Sequence, residues 1–140
     1  NYAIARVEVV YGKPFPGQHG NIVHLVKSRL ENGQGIRVVS DQFRSPTWVE
    51  DIARAIELLL PSRHQGIYHI CGNETLSVAD IAYRVAKFYA LDASLIQPVT
   101  TEEMNEATPR PLYSPMSTEK ALRELGYQAS GMEEGLKEWI

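Results

Sequence analysis

Ser40-Asp41-Gln42-Phe43-Arg44-Ser45-Pro46-Thr47-Trp48-Val49-Glu50-Asp51-Ile52-Ala53 links two apolar segments, and its reading governs what the flanking chain can form. Pro46 fixes its own φ and pushes Ser45 toward an extended geometry. Thr47 then stands where a helix cap is wanted, with Glu50 three residues on as a capping-box partner. Gln42 and Arg44 become polar side chains held in a rigid turn beside an amphipathic run. Such groups either recognise a ligand or solvate a bend, and the residues alone leave both readings open.

Upstream of this turn, residues 36–39 read as a short strand. Asn21 is placed to cap a helix whose apolar face is Ile22, Leu25, Val26 and Leu30, with Gly33 as its stop. Residues 2–12 read as one apolar strand of a covered sheet. Arg6 and Glu8 share a face of it by the period of two, and Arg6 is expected to anchor the central turn through Asp41 or Asp51. Tyr11 and Gly12 fall at the strand tip, the usual place for ligands in open α/β sheets. Gly12, Pro14, Pro16, Gly17 and Gly20 then enforce a loop.

Downstream, Ile52, Ala55, Ile56, Leu59 and Leu60 make a helix stopped by Pro61. Residues 66–72 read as a strand, Thr75 or Ser77 opens a third helix, and residues 95–99 are extended. Residues 100–115 form a long polar connection of the kind that carries function or mobility. Within it Arg110 lies between two prolines; it is either a phosphate ligand or a loop arginine paired with Glu102, Glu103 or Glu106. Ser117 or Thr118 starts a helix over Glu119–Leu125, and residues 133–139 form the last. Trp48 reads as core, and Trp139 as a docking residue. Strands and helices alternate, so the fold class is α/β.

The 140 residues suffice for one domain, and 44% hydrophobic content suffices for a core. The net charge of −3, with no basic run, argues against nucleic acid as a partner. No segment has the length of a membrane span and no signal peptide is visible, which argues against a membrane. The lone Cys71 cannot form an internal disulfide, compatible with a reducing, cytoplasmic setting. No Gly-rich phosphate loop, nucleophile elbow or metal-ligand spacing occurs, so neither a catalytic residue nor a metal site is assigned. Residue 1 is Asn and a strand follows at once, which reads as a piece of a longer protein, with a processed terminus as the alternative.

Four ordered segments carry a resemblance. Arg6-Val7-Glu8-Val9-Val10-Tyr11-Gly12 resembles R-T-S-x-V-Y-G. Asp41-Gln42-Phe43-Arg44-Ser45-Pro46-Thr47 resembles D-Q-x-G-x-P-T, and Gly66-Ile67-Tyr68-His69 resembles G-x-Y-H. Arg110-Pro111-Leu112-Tyr113-Ser114-Pro115-Met116-Ser117-Thr118-Glu119-Lys120 resembles R-P-x-x-S-x-L-x-x-x-K. Together they resemble the C-terminal part of extended short-chain dehydrogenases/reductases of the sugar-nucleotide branch, the dTDP-4-dehydrorhamnose reductase and NAD-dependent epimerase/dehydratase group.

The resemblance implies the late part of an NAD(P)-binding Rossmann-like fold plus a small substrate-binding subdomain. Residues 1–12 and 36–72 would belong to the Rossmann sheet and 73–140 mainly to the substrate side. The N-terminal half, with the Gly-rich loop and the Tyr-x-x-x-Lys pair, would lie before residue 1; Tyr11 and Lys13 lack that spacing. In such enzymes NADPH or NADH delivers hydride to the C4 ketone of a dTDP-linked 4-keto-6-deoxyhexose while the tyrosine supplies a proton. By this resemblance Gln42, Arg44, Thr47 and Arg110 are candidates for the nucleotide-sugar, and Tyr11 and Gly12 for the cofactor. The chain by itself would be inactive, with a homodimer as a further expectation. Glu8 and Arg44 depart from the motif, where a small hydroxyl residue and a glycine are usual. These departures keep an epimerase or dehydratase, or a noncatalytic regulatory protein resembling the methionine adenosyltransferase β subunit, as alternatives.

Overall fold

The computed structural model describes residues 2–18, 20–61 and 63–139, Trp139 through its backbone alone, so the docking role expected of the Trp139 side chain lies outside the described residues. In chain order the elements are β1 (Ala3–Arg6), β2 (Val10–Tyr11), α1 (Ile22–Glu31), β3 (Ile36–Val39), β4 (Phe43–Arg44), β5 (Thr47–Trp48) and α2 (Val49–Leu59). There follow β6 (Gly66–His69), β7 (Leu76–Ser77), α3 (Val78–Phe88), β8 (Ile96–Val99), α4 (Thr101–Met104), α5 (Glu119–Leu125) and α6 (Met132–Leu136). The result is the mixed α/β architecture expected of a Rossmann-like relative.

Local chemistry accounts for most of the boundaries. Asn21 caps α1 by accepting the His24 N–H at 3.1 Å. Of the two expected starts for α3, Ser77 is the one used, in a reciprocal capping box with Asp80. Gly126 ends α5 in the left-handed region, φ 69°. Three strand pairs are parallel, β1 with β6, β2 with β5 and β3 with β8, whereas β4 and β7 are antiparallel. The larger core packs α1 and α3 against β3 and β8, and α6 against α3 and β5, through residues such as Val26, Val38, Ile81, Val85 and Leu136. A smaller core joins α2, β6 and α5 through Ala55, Tyr68, Ile70, Ala121 and Tyr127. Among the described residues no helix is long and apolar enough to cross a membrane.

Three expectations are corrected by the structure. Residues 2–12 are not one strand: the chain leaves β1 after Arg6, turns at Val9 and resumes as β2. The turn changes the partner strand, since β1 pairs with β6 and β2 with β5. Val9 accommodates it at φ 37°, a conformation that β-branched residues seldom adopt. Arg6 does not anchor the central turn. Asp41 accepts instead from the Thr101 N–H and hydroxyl, Asp51 from Ser130 and Arg54, and Arg6 is exposed.

β1 is also largely exposed rather than covered, and among the described residues only β6 lies beside it. Tyr2, Ile4 and Ile67 stand 71%, 46% and 46% exposed around this edge. An unpaired edge with apolar side chains invites another strand. The 140-residue chain is therefore expected to self-associate with rising concentration, read by light scattering. A strictly monomeric chain over the whole concentration range would show that the edge is protected.

Candidate functional site

Burial of the central turn begins with Thr47. Its side chain is fully buried, and its Oγ1 lies 2.6 Å from the Glu8 carbonyl and 3.0 Å from that of Ser45 while accepting the Gly72 N–H at 3.2 Å. The single hydroxyl proton is directed to a carbonyl, and the oxygen is occupied by Gly72. The expected cap is therefore corrected: Trp48 holds the N-cap position of α2, with no side-chain cap. Pairing of Thr47 with Val10 across the β2–β5 ladder has drawn it out of the capping place. Glu50 and Asp51 still set negative charge in the first turn of α2, where the helix dipole favours it. Trp48 is buried as expected, beneath the Arg54 guanidinium at 5.2 Å.

On the opposite side of the turn a cleft of about 210 Å³ opens, with Gln42, Arg44, Arg110 and Glu106 facing apolar walls that include Val78 and Ile81. Three of the four expected substrate residues meet here. Arg44 is 8% exposed. Its Nη1 donates to the Phe43 carbonyl at 2.8 Å and its Nη2 to Gln42 Oε1 at 2.9 Å. Gln42 Nε2 donates onward to Thr101 Oγ1 at 3.1 Å, and Thr101 Oγ1 donates to Asp41 at 2.7 Å. This relay fixes the orientation of the Gln42 amide, because its oxygen has a cationic donor and its nitrogen an acceptor. The Thr101 hydroxyl and N–H together hold the Asp41 carboxyl below its ordinary pKa.

Arg44 is thus a nearly buried cation whose hydrogen bonds go to neutral oxygens. A guanidinium removed from water asks for an anion, and its planar fork suits the oxygens of a phosphate. Arg110 adds a second guanidinium at the rim. Its side chain is 59% exposed, and its Nε bonds Glu106 Oε2 at 3.0 Å. Two arginines in a small cleft with apolar walls can receive a compact polyanion attached to a less polar group.

Tyr11, Gly12 and Thr47 lie outside this lining. The Tyr11 phenol is 2% exposed and donates to the Met132 carbonyl at 3.0 Å; burial, then Asp51, pushes its pKa well above the ordinary range. A Cβ on Gly12 would meet the Val49 side chain, Cγ1 at 2.5 Å and Cβ at 3.2 Å, so a larger residue there would crowd the start of α2. Neither residue offers an unengaged polar side-chain group to a dinucleotide, and no step of the chemistry is derived from them. Sequence reasoning missed the walls Val9, Ile22, Val39, Val78 and Ile81. The signal for two of them was present: Ile22 and Val78 each follow a helix cap directly, and a helix start carries the side chains nearest a strand end.

A larger hollow, about 680 Å³, lies between β1 and α2 and is lined by Tyr2, Ala5, Ile56, Leu60 and Arg63 among others. It lies on the open sheet flank and holds none of the candidate ligand-binding residues Tyr11, Gly12, Gln42, Arg44, Thr47 and Arg110. The smaller cleft is therefore the candidate site.

Comparison with known proteins identifies the family. The model of the RmlD substrate binding domain matches residues 1–140. The chain belongs to that family. The RmlD-family chain is 36% identical over 139 residues to the spore coat polysaccharide biosynthesis protein SpsK of Bacillus subtilis (strain 168), covering 98% of this chain and 46% of that protein. It is 30% identical over 144 residues to the methionine adenosyltransferase 2 subunit beta of Xenopus laevis, covering 99% of this chain and 42% of that one. Among solved structures, the dTDP-4-dehydrorhamnose reductase of Bacillus anthracis str. Ames in complex with NADP superposes with a TM-score of 0.86 at 31% identity, covering 98% of this chain and 47% of that one. The chain thus spans less than half the length of the relatives it matches.

Proposed function

We propose that this chain is the substrate-binding part of an NAD(P)H-dependent reductase of a dTDP-4-keto-6-deoxy sugar, with the cleft holding the nucleotide diphosphate. The observation that carries the reading is Arg44, a nearly buried guanidinium bonded to neutral oxygens, facing a cleft with Arg110 at its rim. Arg44 and Arg110 would take the diphosphate oxygens, and Gln42 would orient Arg44. Thr47 would act from behind, by fixing the turn. The likeness to a dTDP-4-dehydrorhamnose reductase supplies the substrate class, and its bound NADP the cofactor class, for the longer protein. A nicotinamide cofactor would supply hydride there; the residues of this chain bind and orient the nucleotide-sugar.

Calorimetric titration with dTDP, thymidine and pyrophosphate tests the reading. dTDP is expected to saturate the chain, with thymidine about tenfold weaker or worse, since charge-assisted bonds to the diphosphate dominate. Binding should weaken as salt is raised. No saturation by dTDP into the millimolar range would overturn it. That outcome would favour the second reading, a noncatalytic regulatory subunit, which rests on the similarity to the Xenopus laevis β subunit.

A further inference from the structure

Arg110 sits on a strap that runs from Asn105, in the left-handed region at φ 52°, to Ser114. The strap returns beside β4: Phe43 N–H donates to the Leu112 carbonyl at 2.7 Å, and Ser114 N–H to the Phe43 carbonyl at 3.3 Å. Glu8 ties this strap to the central turn. Its Oε1 accepts the Ser114 hydroxyl, and its Oε2 accepts the Ser45 N–H at 3.2 Å. One carboxylate thereby bridges the residue after Arg44 and the segment that carries Arg110. Its own main-chain carbonyl accepts from Thr47 at 2.6 Å, so the bridge is held at its base as well.

We propose that Glu8 is a positioning residue for the diphosphate, setting the separation of the Arg44 and Arg110 guanidinia. This rests on the functional reading above and deepens it. A carboxylate presents two acceptor oxygens and can hold two donors at once; the short hydroxyl of the motif that this segment resembles has one oxygen and less reach. The Arg110 side chain is 59% exposed, and ordering it on binding costs rotamer and loop freedom. Fixing the strap beforehand removes part of that cost. Glu8 is not among the residues lining the cleft, so it bears on the nucleotide through the strap and the turn that it ties rather than by direct contact.

The test is a double-mutant cycle read by dTDP and thymidine titrations of the 140-residue chain. Glu8→Ala and Ser114→Ala are each expected to weaken dTDP about five- to tenfold while leaving thymidine nearly unchanged. Glu8→Gln should restore most of the affinity, because its amide can accept from Ser45 and donate to the Ser114 oxygen. In an Arg110→Ala background, Glu8→Ala should cause no further loss. An equal loss in both backgrounds, or a parallel loss of thymidine, would make Glu8 merely structural and overturn the inference. Unchanged dTDP affinity in both Glu8→Ala and Ser114→Ala would overturn it too. Should Glu8→Ala not fold, Ser114→Ala carries the same comparison. Failure of the parent chain to bind dTDP removes the functional reading and this inference with it; binding without the Glu8 effect removes the inference alone.

Discussion

Gly72→Ala is expected to destabilise the chain by about 3 kcal/mol or more, at the upper end of what overpacking costs. A Cβ at this position would lie 2.0 Å from the Pro46 carbonyl oxygen and 3.1 Å from its carbon. Those atoms are backbone, so no rotamer change relieves the contact. The turn cannot yield cheaply either, since Ser45, Pro46 and Thr47 are all buried and the Gly72 N–H is bonded to Thr47 Oγ1. Nor can the other side move: Ile70 and Cys71 are fully buried, and the Cys71 carbonyl accepts from the Tyr127 phenol at 3.1 Å. Urea unfolding followed by far-ultraviolet circular dichroism measures the effect. Gly35→Ala is the control, because its Cβ would meet nothing nearer than the Leu95 carbonyl at 3.5 Å and should stay within about 0.5 kcal/mol. A Gly72→Ala loss below about 1 kcal/mol would mean that the turn slides on the end of β6 at little cost. The rigidity claimed for Arg44 would then be wrong as well.

Periodicity and caps were readable without coordinates because they are local. Asn21, Ser77 and Gly126 act on their own helices, and each does so here. What could not be read was competition from distant partners. Thr47 has the chemistry of a cap, yet the Glu8 carbonyl and Gly72 N–H, 39 and 25 residues away in sequence, claim its hydroxyl. Asp41 has the chemistry of a partner for Arg6, yet Thr101, 60 residues on, takes it. The same holds for the break at Val9, which follows from a change of partner strand and leaves no mark in an apolar run. The site was half legible for a related reason. Gln42, Arg44 and Arg110 announce themselves by their polar side chains and by the prolines beside them, whereas Glu8 becomes a tie only once Ser45 and Ser114 are brought to it.

Arg44→Met is expected to separate binding from stability. Removing the guanidinium takes away charge-assisted hydrogen bonds worth about 1.5–3 kcal/mol to an anion, so dTDP affinity should fall about 10- to 100-fold. The folded chain should not suffer in proportion. Arg44 is 8% exposed and its bonds run to the Phe43 carbonyl and Gln42 Oε1, so among the described residues its burial is not compensated by a hydrogen-bonded carboxylate. An unbranched apolar side chain of similar length fills the same space without that desolvation cost, which offsets part of the roughly 1–3 kcal/mol lost by leaving the buried Gln42 Oε1 without its donor. The unfolding free energy should therefore fall by no more than about 1 kcal/mol, less than the loss in binding. Arg44→Lys should fall between the two in affinity, because it keeps the charge and loses the planar fork. Titration and urea unfolding on the same preparations decide the matter. If Arg44→Met lowers stability as much as affinity, Arg44 is a strut of the turn and the diphosphate assignment loses its main support. If affinity falls by more, the chain is holding a buried charge for its ligand rather than for its fold.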